Sequence, residues 1–365
     1  MSSAEQPQQL RIGVIGAGGF VGRTHVDAAR RTGRGVVTII GGREPASTQL
    51  AAARVHVPRW TTDIDELLAE VDVVHNCTPT PVHAEVALAV LAAGRHLVSE
   101  KPLAGSLEQA IAVEAESRRA GVVSALCHNY RFLPMVQEAR ALVAGGAIGT
   151  PHLVHGHYLQ DWLSRAGVET WRLDPSTARS AAMADIGTHW CDLAAHVTGR
   201  PIVEVDARLG RLHGRALDDH GALLLRLAGN VMGSVVVSQA SPGHDNRLVL
   251  KVDGDEGSLT WNQERPDELT IGRQGAPNQE VRKAPGLLSD AARPLAHVPQ
   301  GHTQGWASSF RDLFATVYGR ILGEDPVSAA ALPTFADGVT LMRLVEAVVR
   351  SDAENSTITL PQATS

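Results

Sequence analysis

The chain has 365 residues, a formal charge of −6 at pH 7 and 44% hydrophobic residues. This length is too great for one small core and sufficient for two domains. Lysine and arginine are scattered along the chain, which argues against a nucleic-acid surface, because such surfaces cluster cations against phosphates.

The three cysteines, Cys77, Cys127 and Cys191, are an odd number without short spacing, and they are expected to be reduced thiols. No apolar run reaches the length of a membrane span, and no basic segment followed by an apolar stretch predicts a secretory signal. We therefore expect a soluble cytoplasmic protein without a membrane partner, whose residues 1–10 are a disordered lead-in.

From residue 11 to about residue 126, short apolar runs alternate with helical patterns. The predicted strands are 11–16, 36–40, 71–77, 96–99 and 122–126. These strands lack polar alternation, as strands covered on both faces do. Helical patterns over 82–94 and 106–121 both end in glycine, and Ser106 with a Gln three positions later forms a capping-box pattern. Repeated βα units predict a doubly wound parallel sheet of the Rossmann type over residues 11–128.

The loop after the first predicted strand reads GAGGFVG over residues 16–22. Glycines there let the main chain turn sharply and approach a pyrophosphate, which the N-terminus of the next helix also attracts. In the G-x-G-x-x-G pattern the third glycine is replaced by Val21, and Gly22 follows one position late. The candidate cofactor contacts in this loop are Gly16, Gly18, Gly19, Phe20 and Val21. A glycine-rich turn without a ligand is the alternative, and the position at the first strand–helix junction disfavours it.

The second predicted strand is followed by Gly41-Gly42-Arg43. An acid here binds the ribose hydroxyls of NAD, whereas a guanidinium suits the 2′-phosphate of NADP. No acid occurs before Glu44, and Arg43 with Ser47 and Thr48 could hold a phosphate. NADP(H) is therefore favoured over NAD(H) as the cofactor, the alternative being that Arg43 points to solvent.

A more specific pattern occupies residues 71–103. It contains Thr78-Pro79 followed by His83, in the arrangement T-P-x-x-x-H, and then the tripeptide Glu100-Lys101-Pro102. This stretch resembles the Gfo/Idh/MocA oxidoreductases, the family of glucose–fructose oxidoreductase and inositol dehydrogenase. The resemblance continues through AGGAIGTPHLV and ADIGTHWCDL over nearly the whole chain. The segments that look like a sugar-oxidising branch, similar to levoglucosan-type dehydrogenases, are 158–162, 257–269 and 299–306.

The resemblance implies a second domain over residues 129–355, of the α+β class, which binds substrate and mediates oligomerisation. In this family a connecting helix, here near 133–145, precedes a large, mostly antiparallel sheet that starts at 152–161. The family dimerises through this sheet, so a homodimer or homotetramer is implied. Residues 356–365 are expected to be a tail.

Patterns in the second half agree with this implied fold. Two apolar runs over 222–239 flank Gly229-Asn230, which is a hairpin signal, and two further strand-like runs cover 248–254 and 257–261. The Gly/Pro-rich stretch 273–301 is predicted to be a long loop. Helices are predicted at about 303–322 and 333–350, and these could pack back on the first domain.

Oxidising a secondary alcohol requires hydride transfer to nicotinamide and removal of the hydroxyl proton. Lys101 can donate to the substrate oxygen and stabilise a developing alkoxide. An isolated lysine in such a loop would be interpreted as a surface residue, but the Glu-Lys-Pro context reverses this, and by resemblance Lys101 is the family's active-site lysine. The bond to Pro102 can be cis. The resemblance also implies cofactor contacts from Thr78, Pro79, His83, Glu100, Lys101 and Asn129.

Asp185, His189 and Asp192 are spaced four and then three residues apart, on one stripe of a helix predicted to end near Thr198. This stripe is expected at the margin of the core. His189 can take the proton of the alcohol, since imidazole titrates near neutrality. Asp185 could orient that ring or bind substrate hydroxyls, and the family pairs these two residues with the lysine. A histidine that is simply buried and hydrogen-bonded is the alternative.

Further candidates for contact with the substrate are Tyr130, Arg131, Gln160, Asp161, Trp162, Arg172 and Asp192. For Gln160, Asp161, Trp162 and Arg172, packing in the core with the polar groups at the surface is an equally good interpretation. Asp192 could instead hold His189 or tie the helix to a loop. His155 and His157 share a strand face, but without a cysteine or a clear carboxylate partner they predict no metal site.

The leading hypothesis is an NAD(P)-dependent oxidoreductase acting on a ring hydroxyl of a sugar, an anhydrosugar or a cyclitol. A nucleotide-binding regulator without turnover would need the glycine loop but not Lys101, Asp185 and His189, all of which are present. An NAD-dependent glycosidase of the same fold would need the same residues, and product analysis would distinguish it. Fold alone decides none of these.

Overall fold

The computed structural model describes residues 9–361. These residues form two compact units, the first comprising 9–129 and 306–339 and the second 130–305 and 340–361. Residues 1–8 of the predicted lead-in and 362–365 of the predicted tail lie outside the described residues. Within the described range, no helix is long and apolar enough to cross a membrane.

The first unit contains a six-stranded parallel sheet. Its strands are β1 (Leu10–Ile15), β2 (Gly35–Gly41), β3 (Arg59–Thr61), β4 (Val73–Asn76), β5 (His96–Ser99) and β6 (Ser124–Leu126). The strand order β3-β2-β1-β4-β5-β6 is that of a doubly wound dinucleotide-binding sheet, which confirms the predicted fold class. The sequence missed β3, because this edge strand has three residues and no apolar run.

The helices predicted at 82–94, 106–121, 133–145, 303–322 and 333–350 are present among the α-helices of residues 9–361. The α-helices of this range are α1 (Phe20–Arg31), α2 (Pro45–Arg54), α3 (Ile64–Glu70), α4 (His83–Ala92), α5 (Leu107–Ala120), α6 (Pro134–Ala144), α7 (Thr188–Thr198), α8 (Trp306–Ile321) and α9 (Phe335–Glu354). The side chain of Ser106 accepts the main-chain N–H of Gln109 at 3.2 Å, as the capping pattern predicts. Helix α8 packs against α1 within the first unit.

The second unit contains a nine-stranded sheet, in which β7 and β10 run parallel and the other neighbours antiparallel. Its strands are β7 (Pro151–Leu159), β8 (Ile202–Gly210), β9 (His220–Leu227), β10 (Val231–Ser238), β11 (Arg247–Gly254), β12 (Ser258–Asn262), β13 (Glu268–Gly272), β14 (Gln279–Arg282) and β15 (Ile358–Thr359). The predicted large, mostly antiparallel sheet is confirmed.

Two edge strands of this sheet differ from the sequence-based expectation. Strand β14 lies inside the predicted loop 273–301, and β15 lies inside the predicted tail 356–365. Both are short, and β14 is largely exposed, so neither carries the apolar alternation by which a strand is recognised.

The β9–β10 hairpin turns at Gly229 and Asn230, as predicted, with φ values of +75° and +62°. Positive φ at both central residues matches the right-handed twist of the flanking strands. Burial alternates along both strands, and the outer face exposes Leu224, Met232 and Val236.

Candidate active site

The glycine loop of the first unit depends on two close main-chain approaches. A Cβ on Gly16, whose φ is +92°, would lie 2.5 Å from the carbonyl oxygen of Cys77. A Cβ on Gly22 would lie 2.4 Å from the carbonyl oxygen of Gly16. Gly22, and not the position of Val21, therefore serves the close helix–strand packing that the third fingerprint glycine provides. Val21 and Gly22 both lie in the first turn of α1, and Gly22 was not among the cofactor contacts predicted from the sequence.

Helix α1 begins at this loop without a side chain that caps it. Its N-cap is Gly19, and its first turn contains no acidic residue. Its first main-chain N–H groups are therefore available to an anion, so the loop fits the pyrophosphate of a dinucleotide. The adjacent Phe20 is 63% exposed, and its ring stacks on that of Trp306 at 5.4 Å with an interplanar angle of 9°.

Arg43 projects from the end of β2 with its side chain 93% exposed and 4.0 Å from the carboxylate of Glu44. The hydroxyls of Ser47 and Thr48 both donate to the carbonyl of Glu44, at 3.1 and 2.7 Å. The first turn of α2 therefore engages both hydroxyls, and Arg43 is the group of the predicted phosphate-binding trio left in solvent.

His83 connects the loops that follow β4 and β5. Its ring nitrogens lie 2.7 Å from the carbonyl oxygens of Pro102 and Thr78. Asn76 extends this connection, since its Nδ2 donates to the carbonyl of His83 and its Oδ1 accepts the hydroxyl of Thr78. Burial lowers the pKa of His83, although both carbonyls and Glu100 act to raise it. The buried imidazole thus fixes the Thr-Pro and Glu-Lys-Pro loops together, and the Lys101–Pro102 peptide is cis.

Glu100 is the buried acid of the second of these loops. Its Oε1 lies 3.1 Å from Nε2 of His25, and its Oε2 accepts the main-chain N–H of Lys101 at 3.1 Å. Burial acts to raise the pKa of Glu100, but the hydrogen bond from His25 and the charges of Lys101 and His83 bring it below its usual value. Asn129, also buried, donates to the hydroxyl of Ser309 at 2.7 Å.

In the second unit, the segment that carries Asp185 and His189 is not one regular helix. Residues Met183–Gly187 form a π-helical turn, and α7 follows and ends at Gly199 in the left-handed conformation, as predicted. The carboxylate of Asp218 accepts the main-chain N–H groups of Ala181 and Met183 at the start of this turn, at 3.0 and 3.1 Å. Single π-helical turns inside helices occur often at functional sites.

Asp185 projects from the π-helical turn with its side chain 23% exposed. Its Oδ2 accepts the amide of Gln239 at 2.7 Å and lies 3.7 Å from Nε of Arg172. The guanidinium of Arg172 lies over the ring of Trp171, 4.5 Å from its centroid. His189, one turn further on, is 8% exposed, and its ring lies edge-on to that of Tyr130 at 5.1 Å.

A hydrogen-bonded cluster of phenols and amides extends from Tyr130. The Tyr130 and Tyr158 hydroxyls are 3.0 Å apart, and Oδ1 of Asn246 accepts both the Tyr158 hydroxyl and the Gln160 amide at 2.8 Å. Gln160 Oε1 in turn accepts Nε1 of Trp162 at 3.0 Å. Burial raises the pKa of Tyr130 and Tyr158, so both phenols stay neutral. Asp161 lies between Gln160 and Trp162 in the sequence, and its side chain is half-buried.

Three members of these contacts were missed by the sequence analysis: Tyr158, Gln239 and Asn246. They reach the cluster from β7, from the residue after β10 and from the residue before β11. Only the three-dimensional fold brings these distant positions together, and no local motif marks Gln239 or Asn246.

Arg131 and Asp192, both predicted to contact the substrate, pair with each other in the structure. They form a two-point ion pair, and their side chains are only 10% and 3% exposed. His196 on the same helix is also buried, beside Arg140, and burial with the nearby guanidinium groups lowers its pKa to about 3. The expectation that the stripe of Asp185, His189 and Asp192 lies at the margin of the core is wrong for Asp192, because its carboxylate is buried against the guanidinium of Arg131.

Comparison with protein families assigns both halves of the chain. Residues 10–128 match the model of the oxidoreductase family with an NAD-binding Rossmann fold, and residues 136–260 match the GFO/IDH/MocA C-terminal domain. The chain belongs to the Gfo/Idh/MocA oxidoreductase family.

Several relatives in this family span nearly the whole chain. Levoglucosan dehydrogenase from Pseudarthrobacter phenanthrenivorans is 29% identical, over 97% of this chain and 99% of its own length. The solved structure of levoglucosan dehydrogenase with NADH and levoglucosan covers 97% of this chain and 100% of its own, with 29% identity and a TM-score of 0.89. An inositol dehydrogenase homologue from Azotobacter vinelandii, complexed with NAD+, is 25% identical over 96% of this chain and 97% of its own, with a TM-score of 0.90.

These Gfo/Idh/MocA neighbours contain NADH or NAD+, so the expected preference for NADP(H) has no support from them. Membership of the family agrees with the resemblance found at residues 71–103 and with the enzyme class expected from it.

Proposed function

We propose that the protein is an NAD-dependent dehydrogenase that oxidises a ring secondary hydroxyl of a sugar, an anhydrosugar or a cyclitol. The observation that carries the proposal is the cluster of amides and phenols around Tyr130, Asn246 and Gln160, in the same unit as Asp185 and His189. Such neutral donors and acceptors suit a ligand with several hydroxyl groups, because each buried hydroxyl needs a hydrogen-bond partner.

A nicotinamide dinucleotide, when bound, supplies the hydride acceptor. Gly16 and Gly22 let the main chain of the loop pack closely at the start of α1, and the uncapped N–H groups of α1 offer donors to the pyrophosphate. We infer that NAD(H) is the working cofactor, since the related complexes hold this nucleotide and Arg43 alone remains from the phosphate-binding trio.

The proposed proton chemistry requires two groups with different tasks. The ammonium of Lys101 donates a hydrogen bond to the substrate oxygen and stabilises the alkoxide that develops there. The imidazole of His189 accepts the hydroxyl proton. Asp185, held by Gln239, orients the reacting sugar or the imidazole. Cofactor contacts from Thr78, Pro79, His83, Glu100 and Asn129 remain predictions from the family resemblance.

Substrate orientation is assigned to the neutral cluster and to its aromatic neighbours. Trp162 and Trp171 are 37% and 40% exposed, and each presents a flat apolar surface of the kind on which a sugar ring can stack. Gln160 and Arg172 can donate to ring hydroxyls. Arg131 and Asp192, which neutralise each other, are proposed to hold the α6–α7 pair that carries His189.

The proposal is tested with a panel of sugars, anhydrosugars and cyclitols, each incubated with NAD+ or NADP+ while nicotinamide absorbance is followed. We expect reduction of NAD+ by at least one ring polyol. Release of a sugar from a glycoside without net reduction would instead indicate a glycosidase, and no turnover with any compound would contradict the proposal.

We further propose a homodimer or homotetramer assembled through the exposed face of the second sheet. Leu224, Met232 and Val236 give this face an apolar surface. Val236→Lys is expected to dissociate the assembly in sedimentation velocity, and an unchanged oligomer would exclude this face.

A further inference from the structure

A chain of four buried side chains leads from helix α8 to the Glu-Lys-Pro loop within the first unit. The hydroxyl of Tyr318 lies 2.8 Å from Nε2 of His75, whose Nδ1 lies 3.0 Å from Nδ1 of His25. Nε2 of His25 lies 3.1 Å from Oε1 of Glu100, and the other carboxylate oxygen accepts the main-chain N–H of Lys101. The chain therefore ends at the proposed catalytic lysine.

A carboxylate can only accept, so Nε2 of His25 donates to Glu100. When the ring of His25 carries only this proton, its Nδ1 accepts, and the hydrogen-bonded chain has one direction. Nδ1 of His75 then carries a proton and donates to His25, which leaves its Nε2 to accept the Tyr318 hydroxyl. Burial, followed by the proximity of His25, keeps the pKa of His75 well below its usual value, and burial raises that of Tyr318, so both stay neutral.

Aromatic side chains of α8 shield this hydrogen-bonded chain from solvent. Helix α8 presents an aromatic ring every four residues, at Trp306, Phe310, Phe314 and Tyr318. The ring of Phe314 packs on both imidazoles, with centroids 4.8 Å from His25 and 4.5 Å from His75. Both histidines are fully buried, and hydrogen bonds in such low-dielectric surroundings hold their orientation firmly.

We propose that Glu100 is a positioning residue, oriented from a distance by Tyr318 through His75 and His25, and that it fixes the main chain at Lys101. The inference rests on the proposed function in one respect, that Lys101 acts on the substrate. In this proposal the Tyr318 hydroxyl on α8 affects catalysis although His75, His25 and Glu100 separate it from Lys101.

A bound metal is the competing interpretation of part of this cluster. Ligand atoms of His25, Glu100 and Cys127 lie within 4.8 Å of one another. Burial, followed by the charge of Glu100, raises the pKa of the Cys127 thiol well above its usual value, which favours a thiol over a metal-binding thiolate. The hydrogen-bonded chain also satisfies His25 and Glu100 without an ion.

A double-mutant cycle tests the coupling between Tyr318 and Glu100, which do not form a direct hydrogen bond. We expect Tyr318→Phe to lower kcat about threefold or more and Glu100→Gln about tenfold or more, while the double variant equals Glu100→Gln within about twofold. The Kd of NADH, from its fluorescence, should change by less than about threefold in Tyr318→Phe, whose hydroxyl is not among the predicted cofactor contacts. Effects that multiply, or a Tyr318→Phe variant with wild-type kcat, would overturn the proposal.

Two matched controls accompany the cycle. Thr316→Val removes another buried hydroxyl of α8, and Glu85→Gln removes an exposed carboxylate of α4. Both should retain wild-type kcat. If Lys101→Met also retained wild-type kcat while the cycle still showed coupling, the proposed function would be refuted. The coupling of Tyr318 to Glu100 through the two histidines would still be supported.

The direction of the chain is tested without any turnover. In protein labelled with 15N-histidine, ring shifts should show the proton of His25 on Nε2 and that of His75 on Nδ1, with signals assigned through His25→Gln and His75→Gln. A His25 protonated on Nδ1 or on both nitrogens would overturn the proposal. So would stoichiometric zinc in the purified protein, because the metal would occupy Nε2 of His25.

Discussion

The two units form the contacts proposed for the cofactor and for the substrate by different means. In the first unit, the groups that would meet the cofactor are largely main-chain groups of loops at strand ends, where Gly16 and Gly22 remove side chains and His83 ties two loops together. In the second unit, the groups that would meet the substrate are side chains from β7, the end of β10 and a π-helical turn. Main-chain sites tolerate little change in backbone geometry, whereas side-chain sites can be retuned one residue at a time.

This difference suits the two proposed ligands. A dinucleotide has a constant pyrophosphate, which main-chain N–H groups recognise regardless of the surrounding side chains. Sugars and cyclitols differ in the positions of their hydroxyls, so the amides of Gln160, Gln239 and Asn246 can set specificity without altering the fold. The solved structures of levoglucosan dehydrogenase and of an inositol dehydrogenase homologue have a similar fold.

Lys101→Met is expected to have the largest effect. It removes the ammonium group that, in the proposal, acts on the substrate oxygen from the Glu-Lys-Pro loop of the first unit. We expect kcat to fall about a thousandfold, since no cation then stabilises the alkoxide, while the Kd of NADH changes less than about threefold. Steady-state kinetics and NADH fluorescence measure the two quantities. Lys251→Met, at an exposed position of β11, is the matched control, and near-wild-type kcat in Lys101→Met would refute the assignment.

His189→Asn removes the proposed base of the second unit and should lower kcat about a hundredfold, within the range of general base catalysis. NADH binding should stay within about threefold, because in the proposal His189 serves the substrate and not the dinucleotide. His152→Asn, at an exposed position of β7, should have wild-type kinetics. A His189→Asn enzyme as active as the wild type would exclude His189 as the base.

Gly22→Ala tests the main-chain site of the first unit with a single methyl group. The new Cβ would lie 2.4 Å from the carbonyl oxygen of Gly16, so the loop must shift, and overpacking of this kind costs about 1–3 kcal/mol. We expect the Kd of NADH to rise about tenfold and the Tm to fall. Gly286→Ala, where no atom lies within 4 Å of the new Cβ, is the control, and unchanged NADH binding in Gly22→Ala would show that the loop tolerates a shift.

Gln239→Leu probes how far a side-chain site depends on one indirect contact. Gln239 is fully buried and donates to Asp185 at 2.7 Å, so its loss leaves that carboxylate less well oriented. We expect kcat to fall about fivefold to tenfold with NADH binding unchanged. Gln263→Leu in the same unit is the control, and an effect confined to Tm would assign Gln239 a structural role only.

The sequence predicted the first unit well because its signals are local. The predicted strands, the Ser106 cap and the Glu-Lys-Pro tripeptide each depend on neighbours a few residues away, and the first sheet follows from them. The additional residue in the glycine loop misled the assignment, because only the position of α1 reveals that Gly22 packs against Gly16. Sequence spacing alone could not distinguish these two alignments.

The second unit was predicted less completely, since its decisive contacts join distant residues. The stripe of Asp185 and His189 was found, but its π-helical turn depends on Asp218, more than thirty residues further on. Gln239 and Asn246 have no motif, and Arg131 pairs with Asp192 across two helical segments. Contacts of this kind emerge from the packing of the whole unit and leave no periodic signal.

Arg43→Ala should have the smallest effect, and it tests whether an exposed side chain can influence the first unit's main-chain site. Because the guanidinium is 93% exposed, its pairing with a phosphate is worth at most about 1 kcal/mol, or about fivefold in Kd. We expect weaker binding of NADPH by that factor and no change for NADH, which lacks the 2′-phosphate; fluorescence titrations with both nucleotides measure this. Arg54→Ala, at an exposed position of α2, is the control. Equal losses of affinity for NADH and NADPH would mean that Arg43 stabilises the loop itself. A loss of NADPH affinity far above fivefold would mean that the Arg43 side chain becomes buried when that nucleotide binds.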